Sequence, residues 1–285
     1  MSGPILAINN LTAVSDRDGT PILRQVSLTV KRGETRGLVG ESGAGKSMIG
    51  KAVLGILPRA VRVTSGEILF EGRDLLTMPK VELRRLIGER IALIPQDPMT
   101  ALNPGRRIEA QLTDGLRLTG GVSASAARTK AVQLLEEVHI SEPERVLRAY
   151  PHELSGGMRQ RVLIAAAFAL DPTLIVADEP TTALDVTVQK QILRLLRNMQ
   201  AAYGAAVIFV THDFGVVAQV CDSVTLLFNG KVLEDGAVAE ILEAPKHEYS
   251  RALLEACPRN DRPELGLRPI PAELIARLRR EAAAP

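Results

Sequence analysis

A chain of 285 residues is long enough to bury a full core, as one large domain or two modest ones. Its 46% hydrophobic and 24% charged residues are the balance of a globular protein, and a net charge of +2 gives no sign of a nucleic-acid or anionic-membrane partner. Aromatic residues make up only 3% and Trp is absent, so platforms for stacking on nucleic-acid bases are poorly supplied.

The first ten residues lack the basic start and long apolar stretch of a secretory signal. Ile5-Leu6-Ala7-Ile8 and Val26-Ser27-Leu28-Thr29-Val30 have strand composition, with a turn at Asp18-Gly19 between them. Arg32-Gly33 marks a second turn. Gly37-Leu38-Val39 then runs as a short buried strand into a glycine-rich loop, and the apolar stretch 48–57 is predicted to be helical. In the middle third, 123–140 carries Ala131, Leu134, Leu135 and Val138 at helical spacing. The run 162–170 also suits a helix. It is the longest purely apolar run at nine residues, far short of the ~20 that a membrane-spanning helix needs. Residues of about 97–170 therefore read as a helical subdomain inserted into an α/β core.

Strand and helix alternate again after that. Leu174-Ile175-Val176-Ala177 is a short apolar strand ending in acids, and Val188, Ile192, Leu195, Leu196 and Met199 mark one face of a helix. Val207-Ile208-Phe209-Val210 follows as the next strand of a parallel βαβ pattern. Residues 223–228 and 231–234 around Asn229-Gly230 predict a hairpin. Residues 271–283 predict a short amphipathic helix with Leu274, Ile275 and Leu278 on one side. Cys221 and Cys257 are far apart and form no CxxC pair, so two inert thiols in a reducing cytosol are expected rather than a disulfide or a zinc site.

Three segments carry chemistry. Gly40-Glu41-Ser42-Gly43-Ala44-Gly45-Lys46-Ser47, leading into Met48, fits GxxxxGK[ST] between a strand and a helix. Glycines permit positive φ, so successive backbone N–H groups can wrap a phosphate, and the helix N-terminus adds its dipole. Lys46 would reach the β- and γ-phosphates and the Ser47 hydroxyl would ligate Mg²⁺. Asp178 and Glu179 close the strand 174–177, where doubly wound sheets bind ligands. Alone, such an acid pair is more often a solvated loop. Behind a phosphate loop, Asp178 would hold Mg²⁺ through water and Glu179 would polarise the attacking water. Leu154-Ser155-Gly156-Gly157-Met158 opens a helix and, read alone, is an N-cap with a flexible start.

Taken together these segments resemble the nucleotide-binding subunits of ABC transporters. Residues 40–47 are similar to the family's Walker A, 154–158 to its signature motif and 174–179 to its Walker B. Gln96 in Ile94-Pro95-Gln96-Asp97-Pro98 is similar to the Q-loop glutamine, Ala183-Leu184-Asp185 to the D-loop and His212 to the switch histidine. The resemblance spans about 40–215 with the motifs in the family's order. It implies a P-loop NTPase cassette in residues 1–258, with a mixed or parallel sheet core, an N-terminal antiparallel β part and the inserted helical subdomain. Residues 259–285 would be a short C-terminal extension.

The resemblance also implies a mechanism. Two cassettes, identical or paralogous, would face each other head to tail with ATP between one Walker A and the partner's signature loop. Ser155, Gly156 and Gly157 would touch the γ-phosphate held by the other subunit, Asp185 would lie at the shared nucleotide, and His212 would contact the γ-phosphate and attacking water. Gln96 would act at the metal and catalytic centre and couple it to the helical subdomain. A groove near 96–110, with 150–153, would receive one of two transmembrane permease subunits. The stretch Asp-Pro-Met-Thr-Ala-Leu-Asn-Pro at 97–104 resembles the oligopeptide/dipeptide importer branch, as does Ala244 to Pro258 with His247-Glu248-Tyr249 where His-Pro-Tyr is usual. That branch implies peptides or similar small solutes, a periplasmic solute-binding protein, and a peripheral place on the cytoplasmic side of the inner membrane.

The family's pattern is broken in two places. An aromatic residue usually stacks on adenine near position 15, whereas no aromatic residue precedes Phe70 here. Val14 and Ser15 are left as neighbours of the base, with Ile22 nearby, and the missing stack would weaken binding by ~1–3 kcal/mol. Some members of the branch carry a C-terminal cysteine cluster, but only Cys257 lies in this region, so no iron–sulfur centre is expected. The alternative to a transporter subunit is a soluble ABC-type ATPase acting on ribosomes or DNA. Such proteins usually fuse two cassettes or carry coiled coils and basic arms.

Overall fold

The computed structural model describes residues 3–182, 184–256 and 270–283. Cys257, Ala183 and the first part of the expected extension (259–269) lie outside them. The chain divides into two compact units, one of Met1–Val30, Glu34–Leu76 and Phe209–Pro285, the other of Lys31–Gly33 and Thr77–Ile208.

In chain order the first unit begins with β1 (Leu6–Ser15), β2 (Pro21–Val30), β3 (Thr35–Val39), α1 (Lys46–Val53), β4 (Val61–Phe70) and the short β5 (Arg73–Asp74). β1 pairs antiparallel with both β2 and β4, so Leu6 faces Val30 on one side and Phe70 on the other. Leu6 and Ile8, and past an irregularity at Asn10 (φ 50°) Leu11 and Ala13, are fully buried, so the shift in register keeps the apolar side chains of β1 on the core. β3 is buried along its whole length, the signature of a central strand covered on both faces.

α1 stops at Val53, short of the 48–57 expected from composition. Gly55 takes a left-handed φ of 62°, and the chain closes as a Schellman motif. In it the Ile56 N–H donates to the Lys51 carbonyl at 2.9 Å and the Gly55 N–H to the Ala52 carbonyl at 3.1 Å. A glycine in the C′ position ended the helix where hydropathy alone would have continued it.

The second unit comprises α2 (Lys80–Glu89), β6 (Ile91–Ile94), α3 (Pro98–Ala101), α4 (Ile108–Leu118), α5 (Ala124–Glu137), α6 (Pro143–Arg148), α7 (Gly156–Phe168), β7 (Leu174–Asp178) and α8 (Val186–Tyr203). β6 and β7 run parallel, with Ile94 beside Ala177. α7 carries fully buried Val162, Ile164, Ala165 and Phe168, and the Phe168 ring meets that of Tyr203 at 5.1 Å. Burying a side chain such as Phe168 stabilises by about 1.5–3 kcal/mol. β8 (Ala206–Thr211) flanks β7 and is buried throughout.

The chain then returns to the first unit with α9 (Phe214–Val220), β9 (Ser223–Phe228), β10 (Lys231–Ala237), α10 (Val238–Glu243), α11 (Glu248–Ala256) and α12 (Ala272–Ala283). β3 lies parallel to β9, and β9 antiparallel to β10, so the sheet is mixed. Val39, Phe214, Val224, Leu226, Phe228, Tyr249 and Leu278 share one core, which seats α11 and α12 on the sheet. Among the described residues no helix is long and apolar enough to cross a membrane.

Candidate functional site

In the first unit, β3 delivers the chain into the loop at 40–45. Gly40 sits at φ 154°, and a Cβ there would lie 2.1 Å from the Leu227 carbonyl oxygen of β9. Only glycine allows the loop to leave the sheet so closely. Gly43 and Gly45 take φ 82° and 99°, and Gly45 caps α1 without any side-chain bond. The first N–H groups of a helix have no partner within it, so such a start is a place for an anion.

Lys46 is only 5% exposed, and its Nζ donates to the carbonyls of Gly40 and Glu41 at 2.8 and 2.9 Å. The ammonium thus sits across the mouth of the loop. The loop also rests on neighbours that the motif does not name. Gly230 donates its N–H to the Ala44 carbonyl at 3.1 Å, and the Ile22 carbonyl lies 3.3 Å from where a Cβ of Gly45 would stand. Val14 and Ser15 end β1, opposite Arg62 and Val61 of β4. The Ser15 hydroxyl accepts from the Arg17 N–H at 3.3 Å. His212 follows β8 and is exposed, while the next residue, Asp213, caps α9 through the N–H groups of Gly215 and Val216.

In the second unit, β7 ends at Asp178, half-buried, and Glu179 follows in the left-handed region at φ 46°. A non-glycine residue held there stores roughly 1–3 kcal/mol of strain, which the surrounding structure must hold. Here it aims the carboxylate at two donors. The Gln96 amide donates to Glu179 Oε2 at 3.0 Å, and the Thr182 hydroxyl donates to the same oxygen at 2.9 Å. A turn closed by the Thr182 N–H on the Glu179 carbonyl at 3.1 Å fixes Thr182 in that position. Gln96 comes from the end of β6, two residues past Ile94, which lies beside Ala177. Parallel pairing of two adjacent strands is therefore what brings these distant residues together. The pairing of Gln96 with Glu179 was not legible in sequence, nor was the part of Thr182, a turn residue with no motif of its own.

Ser155 caps α7, its hydroxyl accepting from the Met158 N–H at 3.3 Å, and Gly156 has open space around it. A Cβ on Gly157 would press on Val188 at 3.3 Å. Asp185 caps α8, accepting from the N–H groups of Thr187 and Val188 at 3.0 and 2.9 Å, so its carboxylate is engaged by its own helix. Tyr150 stacks on His152 at 5.7 Å, and the Arg107 guanidinium lies over the Tyr150 ring at 5.7 Å, so the segment 150–153 and the start of α4 meet.

The sequence profile of the family described as ABC transporter matches residues 23–182, which is more than half of the chain. The chain belongs to that family.

Over 274 residues it is 46% identical to the probable D,D-dipeptide transport ATP-binding protein DdpD of Escherichia coli, covering 95% of this chain and 84% of that one. It is 44% identical to the oligopeptide transport ATP-binding protein OppD of Salmonella typhimurium, covering 90% and 77%. Among solved structures, the dimeric post-hydrolysis state of the ATP-binding cassette MJ0796 bound to ADP and Pi superposes with a TM-score of 0.72 at 28% identity. That match covers 82% of this chain and 98% of the cassette. This chain is an ATP-binding, ATP-hydrolysing subunit of an ABC transporter, with an α/β cassette fold. Its transport relatives decide against the ribosome- or DNA-directed alternative.

Proposed function

We propose that this cassette powers the import of peptides or similar small solutes, and that Glu179 is the general base of its ATP hydrolysis. The observation that carries the catalytic part is the double hydrogen bonding of Glu179 Oε2 by Gln96 and Thr182 on a left-handed backbone. A carboxylate oriented by two donors is ready to take a proton from a water held beside it.

In this reading residues 40–48 hold the nucleotide, with backbone N–H groups of the loop and Lys46 on its phosphates and Val14 and Ser15 near the base. Water attacks the γ-phosphorus, the bond from that phosphorus to the bridging oxygen of ADP breaks, and Glu179 receives the proton of the water. His212 contacts the γ-phosphate and orients the attacking water. The donors Ser47, Gln96 and Asp178 are a hydroxyl, an amide and one carboxylate, the oxygen-rich, charge-poor set that suits Mg²⁺ bound largely by waters and phosphates. When bound, that ion would neutralise charge developing between the β- and γ-phosphates.

Ser155, Gly156, Gly157 and Asp185 serve the nucleotide of a second cassette, identical or paralogous, in an ATP-dependent dimer. Residues 1–258 form the cassette, with the helical subdomain at about 97–170, and 259–285 a C-terminal extension. Two permease subunits bind the helical subdomain, where Met99 is 61% exposed on α3. A periplasmic solute-binding protein supplies the cargo, and the cassette works on the cytoplasmic side of the inner membrane. The names of its dipeptide and oligopeptide relatives support the solute class.

The test is ATP turnover by the purified chain beside Glu179→Gln, with sizing in Mg-ATP. A rate at least ~10²-fold lower in the variant, with a nucleotide-dependent dimer retained, is the expected result. Equal turnover in the two proteins would remove Glu179 from the chemistry. Peptide-stimulated turnover after reconstitution with candidate permeases and a second cassette checks the solute class.

A further inference from the structure

α12 lies at the phosphate loop. Its apolar face, with Leu278 buried at 4% exposure and Ile270, Leu274 and Ile275 packed beside it, is seated on the core that contains Val39, the last residue of β3, and Phe228 of β9. An ion pair between Arg277 and Glu248 ties the same helix to α11. One residue after Leu278, Arg279 turns from that core and forms a wall of a cavity of about 230 Å³. The facing walls are residues 41–44 of the phosphate loop and Phe228–Asn229 at the β9–β10 turn. Every wall belongs to the first unit. Beneath the loop, Tyr249 of α11 is fully buried edge-on to Phe228 at 4.9 Å. Its phenol is raised by burial and then by the charge of Glu41 nearby.

The geometry points to Arg279 as a phosphate-binding residue of the nucleotide site, contacting the terminal phosphate of ATP held by the loop at 40–47. The cavity pairs two kinds of phosphate donor. One wall is an anion-binding loop, and the other carries a guanidinium, whose planar fork matches two phosphate oxygens at once. Among the residues lining the cavity, Glu41 carries the carboxylate and Arg279 the cation. A guanidinium on the terminal phosphate would favour ATP over ADP, which carries one phosphate fewer. Because Leu278 and the Arg277–Glu248 pair fix α12, the C-terminal helix becomes part of the nucleotide site rather than an appendage. Neither the loop motif nor the amphipathic pattern of 271–283 signals this. The inference rests on the reading of 40–47 as the nucleotide-binding loop.

The experiment measures equilibrium binding of fluorescent ATP and ADP analogues to full-length wild type, Arg279→Ala, Arg279→Lys, Arg280→Ala and Lys46→Ala, each at two salt concentrations. Arg279→Ala is expected to weaken ATP binding about five- to tenfold and ADP binding about twofold or less. Arg279→Lys should recover part of the loss, Arg280→Ala on the same helix should match wild type, and the Arg279→Ala effect should shrink at high salt. Arg279 is exposed, so its variants should melt with wild type, and an unchanged melting temperature separates a contact from a packing defect. Unaltered ATP affinity in Arg279→Ala, with Lys46→Ala impaired, overturns the role of Arg279 alone. Unaltered affinity in Lys46→Ala as well overturns the reading of the loop. Equal losses for ATP and ADP, accompanied by a lower melting temperature, overturn the phosphate contact in favour of a structural one.

Discussion

The two units hold their functional groups in opposite ways. In the first, the phosphate loop works through backbone: Gly40, Gly43 and Gly45 take positive φ, and β9 and the β9–β10 turn press against the loop at distances that exclude a Cβ at position 40. In the second, the acid works through side chains: Gln96 and Thr182 converge on one carboxylate oxygen of Glu179, each from its own segment. A backbone site is indifferent to side-chain chemistry but intolerant of added volume. A side-chain site tolerates isosteric volume but fails when a single hydrogen-bonding atom is removed. The two units should therefore respond to different kinds of substitution.

The largest contrast is expected at Gly40. Gly40→Ala places a methyl group 2.1 Å from the Leu227 carbonyl and demands an unfavourable φ. Stability should fall by roughly 3 kcal/mol or more, and nucleotide affinity by about a hundredfold, read by thermal melting and equilibrium binding. Wild-type affinity in this variant would mean that the loop's close approach to β9 is dispensable.

On the side-chain half, Gln96→Ala and Thr182→Val each remove one donor to Glu179 and leave the backbone intact. The turnover number should drop about tenfold in either variant, since each lost bond is worth about 1.5 kcal/mol to a charged acceptor, with KM for ATP nearly unchanged in Thr182→Val and raised in Gln96→Ala, which also removes a Mg²⁺ donor. If KM moves and the turnover number does not, these residues bind rather than orient.

A smaller and sharper effect separates the two functions of Ser155. Ser155→Ala should lower stability by ~1 kcal/mol through loss of the cap on α7, whereas Ser155→Asp keeps a cap and its stability. Turnover lost in Ser155→Asp with stability retained would mark an anion site. Equal turnover in Ser155→Asp and wild type would leave only the cap.

At neutral pH the least visible contrast is a pH dependence, which emerges only in alkali. The Cys221 thiol is pushed up to about 12, first by burial and then by the charge of Asp222, against an ordinary value of 9.0. Below pH 9 the thiol is protonated in both folded and unfolded chains and contributes no slope. Between 9 and 12 the unfolded chain ionises first, so stability falls as pH rises. Melting curves across that window should fall less steeply in Cys221→Ala.

Much of this fold could be read in advance because local pattern and tertiary context agree. The apolar runs at 174–177 and 207–210 became β7 and β8, Asn229-Gly230 became the β9–β10 turn, and the stripe of 188–199 became the inner face of α8. The helix after the phosphate loop is shorter than its apolar run because hydropathy carries no information about the left-handed Gly55 that ends it. Helix α4 repeats Ile108, Leu112 and Leu116 every fourth residue, all buried, a stripe too short to stand out from the sequence alone.

The functional groups divide in the same manner. Contiguous motifs whose physics is local, a glycine loop running into Lys46 and Ser47, a serine capping α7, acids ending a buried strand, were determined by the sequence itself. Their spacing dictates backbone geometry within a few residues. The chain's membership of the ABC family followed from those motifs and their order. What tertiary structure alone decided is which distant groups meet. Gln96 and Thr182 reach Glu179 because β6 pairs in register with β7 and a turn folds back at 179–182, and Arg279 reaches the phosphate loop because Leu278 is buried in the core behind it. Such meetings depend on strand register and on which face of a helix is buried, both of which are set by the summed packing of the whole chain rather than by any local run of residues.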